Sequence, residues 1–153
     1  FVIMGYDMHY ALGNPGPISP MGGGINIIGL VQGYLEKVPA EKLILAVPYY
    51  GYDWPINQDL SSASPSAAIL SYAELAEDSR EHKLIWDETS QTPSYRYTDN
   101  GIEREVHFEN VRSLGIKYDF VAAKNLKGVG IWALGYDGLN SDLQRLIVDK
   151  FSN

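Results

Sequence analysis

Three short apolar runs end in the same triplet. FVIM runs into Gly5-Tyr6-Asp7, LILAVPYY into Gly51-Tyr52-Asp53 and VGIWAL into Gly135-Tyr136-Asp137. A continuous run of Val, Ile, Leu and aromatic residues closed by Gly suits a strand buried on both faces, as in parallel sheets, rather than the alternation of a half-exposed strand. Parallel strands need crossovers, and the sequence provides them. Ile28, Val31, Leu35 and Val38 step by three and four between Gly24 and Val38, ahead of Pro39, and Val111, Leu114, Tyr118 and Val121 do so between Asn110 and Lys124. A last helix is predicted from Ser141, with Gln144 in capping-box spacing and Leu143, Leu146, Ile147 and Phe151 on one side. Right-handed crossovers would set the three strands parallel, with helices on one face.

The repeat is uneven. Gly5 and Gly51 lie 46 residues apart, whereas Gly51 and Gly135 lie 84 apart, so the second unit carries an insertion over 54–108. Within it the sequence predicts a Ser-rich loop (SSASPS), a short helix opened by Ser71 and Glu74, a strand at 84–86, and a hairpin in which SYRYT and IEREVHF flank Asp99-Asn100-Gly101. Residues 1–53 and 109–153 then form the α/β part, and 54–108 a small α+β insertion. One core is the ceiling for 153 residues.

Composition narrows the partners. A net charge of −7 disfavours nucleic acid and anionic membranes, which need clustered Lys and Arg. Absent Cys excludes disulfides, thiolate zinc sites and a Cys nucleophile. No apolar run is long enough to span a bilayer. The apolar start at Phe1, with neither initiator Met nor a signal-peptide pattern, reads as a piece of a longer protein. Eleven Tyr and three Trp against four Phe give the chain rings with polar edges, which suit carbohydrate surfaces as well as cores and edge strands.

In parallel α/β folds, ligands bind beyond the carboxyl ends of the strands. A pocket lined by Tyr6, Asp7, Tyr50, Tyr52, Asp53, Trp132, Tyr136 and Asp137 would offer acceptors for hydroxyls and flat rings for sugar faces. Each triplet also has a plain structural reading: Tyr caps a strand, Gly makes a turn, and Asp caps a helix or satisfies loop amides. His9 is either a substrate contact or a hydrogen-bonded spacer. His82 and His107, far apart in sequence, do not suggest a metal pair, and no metal or cofactor is expected. Asp87, Glu88, Glu103, Glu105 and Glu109 read as solvated surface.

The segment Met4-Gly5-Tyr6-Asp7 resembles the Met-x-Tyr-Asp motif on the sixth strand of glycoside hydrolase family 18, the chitinase-like (β/α)8 barrels. VPAEKLILAVPYYGYDW is similar to the seventh strand of that family, SYRYTDNGIEREVHFENVRSLGIKYDF to the end of its insertion and the next helix, and LKGVGIWALGYDG to the eighth strand. YDMHYALGNPGPISPM is nearest the bacterial branch of spore-cortex and cell-wall enzymes. The resemblance implies a partial TIM barrel, its last three β/α units, in a secreted or spore-associated glycosidase. That enzyme would cleave β-1,4 bonds beside N-acetylated sugars, with the acetamido group of the substrate as nucleophile. Tyr6 would hold the acetamido oxygen, Asp7 would bind sugar hydroxyls, Trp132 would floor the cleaved subsite, Met4 would pack beneath the acid, Tyr50 would face the pocket and Trp54 would add a stacking surface. The Asp-x-x-Asp-x-Asp-x-Glu motif of the fourth strand, which carries the general acid, is absent. The fragment alone is therefore expected to be inactive. It is also expected to self-associate, through inner faces at Val2, Met4, Leu45, Val47, Ile131 or their alternating neighbours, or else to fold its insertion over them. A non-catalytic sugar-binding module and a self-standing α/β binding domain are the competing readings.

Overall fold

The computed structural model describes residues 1–64 and 66–152; Pro65, within the expected Ser-rich loop, lies outside them. The chain is mixed α/β and does not close into a barrel. Three parallel strands, β1 (Val2–Met4), β2 (Ile44–Pro48) and β8 (Gly128–Trp132), form one sheet in the order β1-β2-β8. Helices α1 (Ile27–Leu35), α3 (Val111–Ala123) and α4 (Ser141–Phe151) belong to the same core. Between β2 and α3 a second sheet is inserted, built from β3 (Tyr50–Pro55), β4 (Ala68–Ser71), β5 (Ile85–Asp87), β6 (Thr92–Asp99) and β7 (Ile102–His107), all antiparallel in the order β4-β3-β7-β6-β5. Helix α2 (Tyr72–Asp78) packs on it through Leu75, against Tyr95, Val106 and Phe108.

The alternation of the parallel strands divides their side chains between two environments. Ile3, Leu45 and Val47 are buried in the helix-covered core. On the other face Val2 and Met4 are 60% and 65% exposed, and Trp132, which registers with Pro48, is 57% exposed. Leu45 and Val47 therefore do not face outward as expected; Ile131, which registers with Val47, is 39% exposed. Their neighbours Ile44 and Ala46, in register with Val2 and Met4, take that face.

Local signals set most element ends. Ser71 and Glu74 form the expected capping box on α2, and Asn100 and Gly101, both at positive φ, form the two-residue turn between β6 and β7. Others differ from the reading. Helix α1 starts after Asn26, whose side chain accepts from the Gly29 amide, and buries Ile27 and Val31 rather than Ile28 and Val31. Helix α4 is capped by Asn140, whose oxygen accepts from the amides of Asp142 and Leu143, leaving Ser141 as the first helical residue. β5 is shifted by one residue from 84–86. The expected boundary between 53 and 54 falls inside β3.

Glu109 is not surface. It is fully buried with Lys117 of α3, whose Nζ donates to Oε2 at 2.7 Å. Burial pushes the Glu109 carboxyl up and the Lys117 amine down, and the mutual attraction of the two opposes both shifts. Breaking such a pair strands one charge in the core. Lys117→Met is expected to cost about 3–5 kcal/mol of unfolding free energy in urea titrations, and Glu109→Leu added to it to restore most of that loss.

Candidate functional site

Asp7 lies just beyond β1, at φ +60°, with its side chain at the surface. Its Oδ1 accepts hydrogen bonds from two tyrosine hydroxyls, Tyr50 at 2.5 Å and Tyr52 at 2.9 Å. Both tyrosines lie on β3 two residues apart, hence on one face, and both are 5% exposed. The ring of Tyr50 meets the rings of Tyr6 and Tyr136 edge-on, at centroid distances of 6.1 and 6.4 Å. Segments following β1 and β8 thus meet on the first residues of β3. Gly51 lets β3 lie close to β7 and the chain beyond it, since a Cβ there would stand 2.6 Å from both the His107 carbonyl oxygen and Phe108 Cβ.

Burial and the neighbouring carboxylate keep the phenols protonated. Burial is the larger cause for Tyr6, Tyr50 and Tyr52 alike, followed by Asp7, and Tyr52 is pushed up to about 12. Donors fixed in this way leave the other Asp7 oxygen, Oδ2, without a protein partner among the described residues. The site therefore presents one carboxylate oxygen and one phenol, Tyr6, at the carboxyl end of β1, with the exposed indole of Trp132 at the end of β8 on the far side of β2. This combination accepts and donates to hydroxyls and offers a flat ring face. Met4 shares the exposed sheet face with Trp132.

Two expected members are elsewhere. Asp53 is next to Tyr52, so alternation sends it to the opposite face of β3. There the Tyr97 hydroxyl donates to Oδ2 at 2.8 Å, and Arg104 Nε donates to both carboxylate oxygens, at 3.0 and 2.9 Å. Trp54 is on the correct face but fully buried, packed edge-on against Tyr52 and His107 in a cluster with Ile18, Ile56 and Ala67. It offers no sugar-stacking surface. The second Gly-Tyr-Asp triplet is accordingly the interior of a strand, not a turn after one.

The histidines take structural places. His9 Nδ1 donates to the Asn14 carbonyl at 3.2 Å, His82 stacks on Tyr95 at 4.7 Å, and His107 Nε2 donates to Glu105 at 2.7 Å. Glu105 also pairs with Arg96 at 2.7 Å, so it is not a free surface acid. Among the described residues no three His, Asp or Glu side chains converge to hold a metal ion. Sequence reasoning missed Ser19, a buried hydroxyl that donates to the Gly5 carbonyl at 2.6 Å and braces the loop bearing Tyr6 and Asp7. No local pattern marks it, because its partner lies 14 residues away.

The sequence profile of Glycosyl hydrolases family 18 matches residues 1–137. The chain belongs to this family. Among curated family 18 relatives it is 32% identical over 135 residues to the cortical fragment-lytic enzyme of Bacillus subtilis, covering 88% of this chain and 31% of that protein. The crystal structure of the Bacillus cereus spore cortex-lytic enzyme SleL superposes with a TM-score of 0.83 at 29% identity, over 98% of this chain and 34% of that one. A family 18 chitinase from Cycas revoluta in complex with (GlcNAc)3 shares the fold, with a TM-score of 0.83 at 22% identity, over 98% of this chain and 46% of that one. The chain thus spans about a third of the curated relative it matches.

The raised phenols give a pH signature. A tyrosine whose folded pKa lies above its unfolded value of about 10 contributes stability that is complete below about pH 10 and is lost as pH rises through the folded value. Tyr52, Tyr72 and Tyr97 are each pushed up to about 12. Unfolding free energy is expected to fall steadily between about pH 10 and 12. Tyr97→Phe should flatten that fall, as read by chemical denaturation at stepped pH.

Proposed function

We propose that the chain is the last three β/α units of a family 18 (β/α)8 barrel, with the antiparallel sheet from Tyr50 to His107 inserted. The barrel would hydrolyse β-1,4 bonds next to N-acetylated sugars in chitin-like or peptidoglycan-type glycans of spore or cell walls. The carrying observation is the assembly of Tyr6, Asp7 and Tyr50 at the strand ends, beside an exposed Trp132 on a bare apolar sheet face. In this reading the Tyr6 hydroxyl holds the acetamido oxygen for attack on the anomeric carbon, Asp7 Oδ2 accepts from sugar hydroxyls, and Trp132 floors the subsite, with Met4 beside it. Cortex-lytic relatives and a chitinase bound to (GlcNAc)3 support a substrate of this class.

The general acid is not within these residues, since the sequence contains no Asp-x-x-Asp-x-Asp-x-Glu motif. This favours a second reading for the chain by itself, as a surface that holds sugar without cleaving it. The purified chain is expected to bind (GlcNAc)3 in calorimetric titration and to release no product from it, because the leaving oxygen has no proton donor. Trp132→Ala should weaken binding about tenfold with a stability change within about 0.5 kcal/mol, as befits an exposed side chain. Failure of the wild-type chain to bind any N-acetylglucosamine oligomer would remove the sugar reading, and turnover by it would place the acid inside these residues.

The bare face has its own consequence. Val2, Met4 and Trp132 stand more than half exposed on a sheet whose two outer strands, β1 and β8, have open edges. Burying aliphatic side chains of this size is worth about 1.5–3 kcal/mol each, so copies should associate through this face. Sedimentation equilibrium is expected to show a dimer or larger species that Met4→Lys weakens; a monomer at all concentrations would exclude this.

A further inference from the structure

The Asp7 contacts are unusual in their distribution. A surface carboxylate on a loop normally receives water on both oxygens. Here two hydroxyls from rings only 5% exposed converge on the same oxygen, and Oδ2 has no partner among the described residues. One hydrogen bond would leave the carboxylate free to swing about the contact. A second, from a different direction, fixes the plane of the group. Tyr52 is itself held from behind: its ring lies edge-on to Trp54 at 5.4 Å and to Tyr50 at 5.4 Å, and Trp54 is completely enclosed. The series Trp54, Tyr52, Asp7 runs from the core of the inserted sheet to the surface of the site.

We propose that Tyr52 is a positioning residue for sugar binding: with Tyr50 it occupies Oδ1 of Asp7, so that Oδ2 alone is presented to the ligand in a fixed orientation, and Trp54 sets the place of Tyr52. This rests on the sugar reading above and deepens it. It assigns Trp54 a role behind the site, and it makes the geometry of the Asp7 loop depend on the inserted sheet. An Asp7 that served only to satisfy two buried phenols would have no such effect on ligand. Substituting Tyr52 would then cost stability and nothing else.

The two cases separate by measurement on the 153-residue chain. Tyr52→Phe keeps the ring and removes the hydroxyl. Without any ligand, NMR of the Asp7 side-chain carboxyl carbon and backbone amide is expected to give single sharp signals in the wild type, and shifted and broadened ones in Tyr52→Phe. Tyr50→Phe should act in the same direction. In titrations with (GlcNAc)3, Tyr52→Phe should bind about tenfold more weakly, the equivalent of one lost hydrogen bond to a charged group. Trp54→Phe, which keeps the core filled with a smaller ring, should broaden Asp7 to a lesser degree and supplies the test if Tyr52→Phe does not fold. Unmoved Asp7 signals in the folded variants overturn the proposal, as does unchanged affinity alongside lowered stability. If the wild-type chain binds no oligomer, the sugar reading fails, while the Asp7 signals still decide whether Tyr52 fixes the carboxylate.

Discussion

The molecule depends on a joint one residue long. β2 ends at Pro48 and β3 begins at Tyr50, so Tyr49 alone carries the chain from the parallel sheet into the antiparallel one. Its amide donates to the Trp132 carbonyl at 2.7 Å, its carbonyl accepts from the Tyr72 amide at 2.8 Å, and its hydroxyl shares a 3.0 Å bond with that of Tyr118. One residue thus ties the end of β8, the start of α2 and the middle of α3 to the end of β2. Because the joint has no slack, the first residues of β3 emerge at the carboxyl ends of the parallel strands, where Asp7 meets them. A looser connection would uncouple Tyr50 and Tyr52 from the loop after β1.

Charge in the inserted sheet is organised across its two faces. Asp53, Tyr97 and Arg104 lie on one, Arg96, Glu105 and His107 on the other, each set internally paired. Pairing directly across β6 and β7 places Arg96 opposite Glu105, where opposite charges on neighbouring strands attract. Of these pairs, Arg104 with Asp53 ties β7 to β3, the strand that carries Tyr50 and Tyr52.

What could be read from sequence followed the physics of local patterns. Continuous apolar runs pointed to parallel strands, Ser71 with Glu74 to a helix start, and Asn100-Gly101 to a hairpin, because each of these is decided by neighbours in the chain. The family resemblance carried by ordered motifs points to Asp7, Tyr6 and Tyr50, and the structure places Tyr50 against the other two. The failures involve partners distant in sequence. Nothing near Glu109 reveals that Lys117 will be enclosed with it, nothing near Trp54 reveals that Ile18 will cover it, and the Gly51 triplet looks like its two counterparts although β2 turns into β3 before reaching it.

The inserted sheet also alters how hard the parallel sheet is to close. β2 and β8 pair Ile44 with Gly128, so joining them directly would close a loop of more than eighty residues. Pairing of Tyr52 with His107 within the insertion reduces the span still to be closed to about thirty residues, those from Ile44 to Tyr52 and from His107 to Gly128, the latter carrying helix α3. Each halving of a flexible loop lowers its closure cost by about 0.6 kcal/mol, so the one and a half halvings here recover about 0.9 kcal/mol. The hairpin that starts this process joins Asp99 to Ile102 and is as local as a strand pairing can be. Entropically, then, the insertion acts as a clasp that brings the last strand back to its partner.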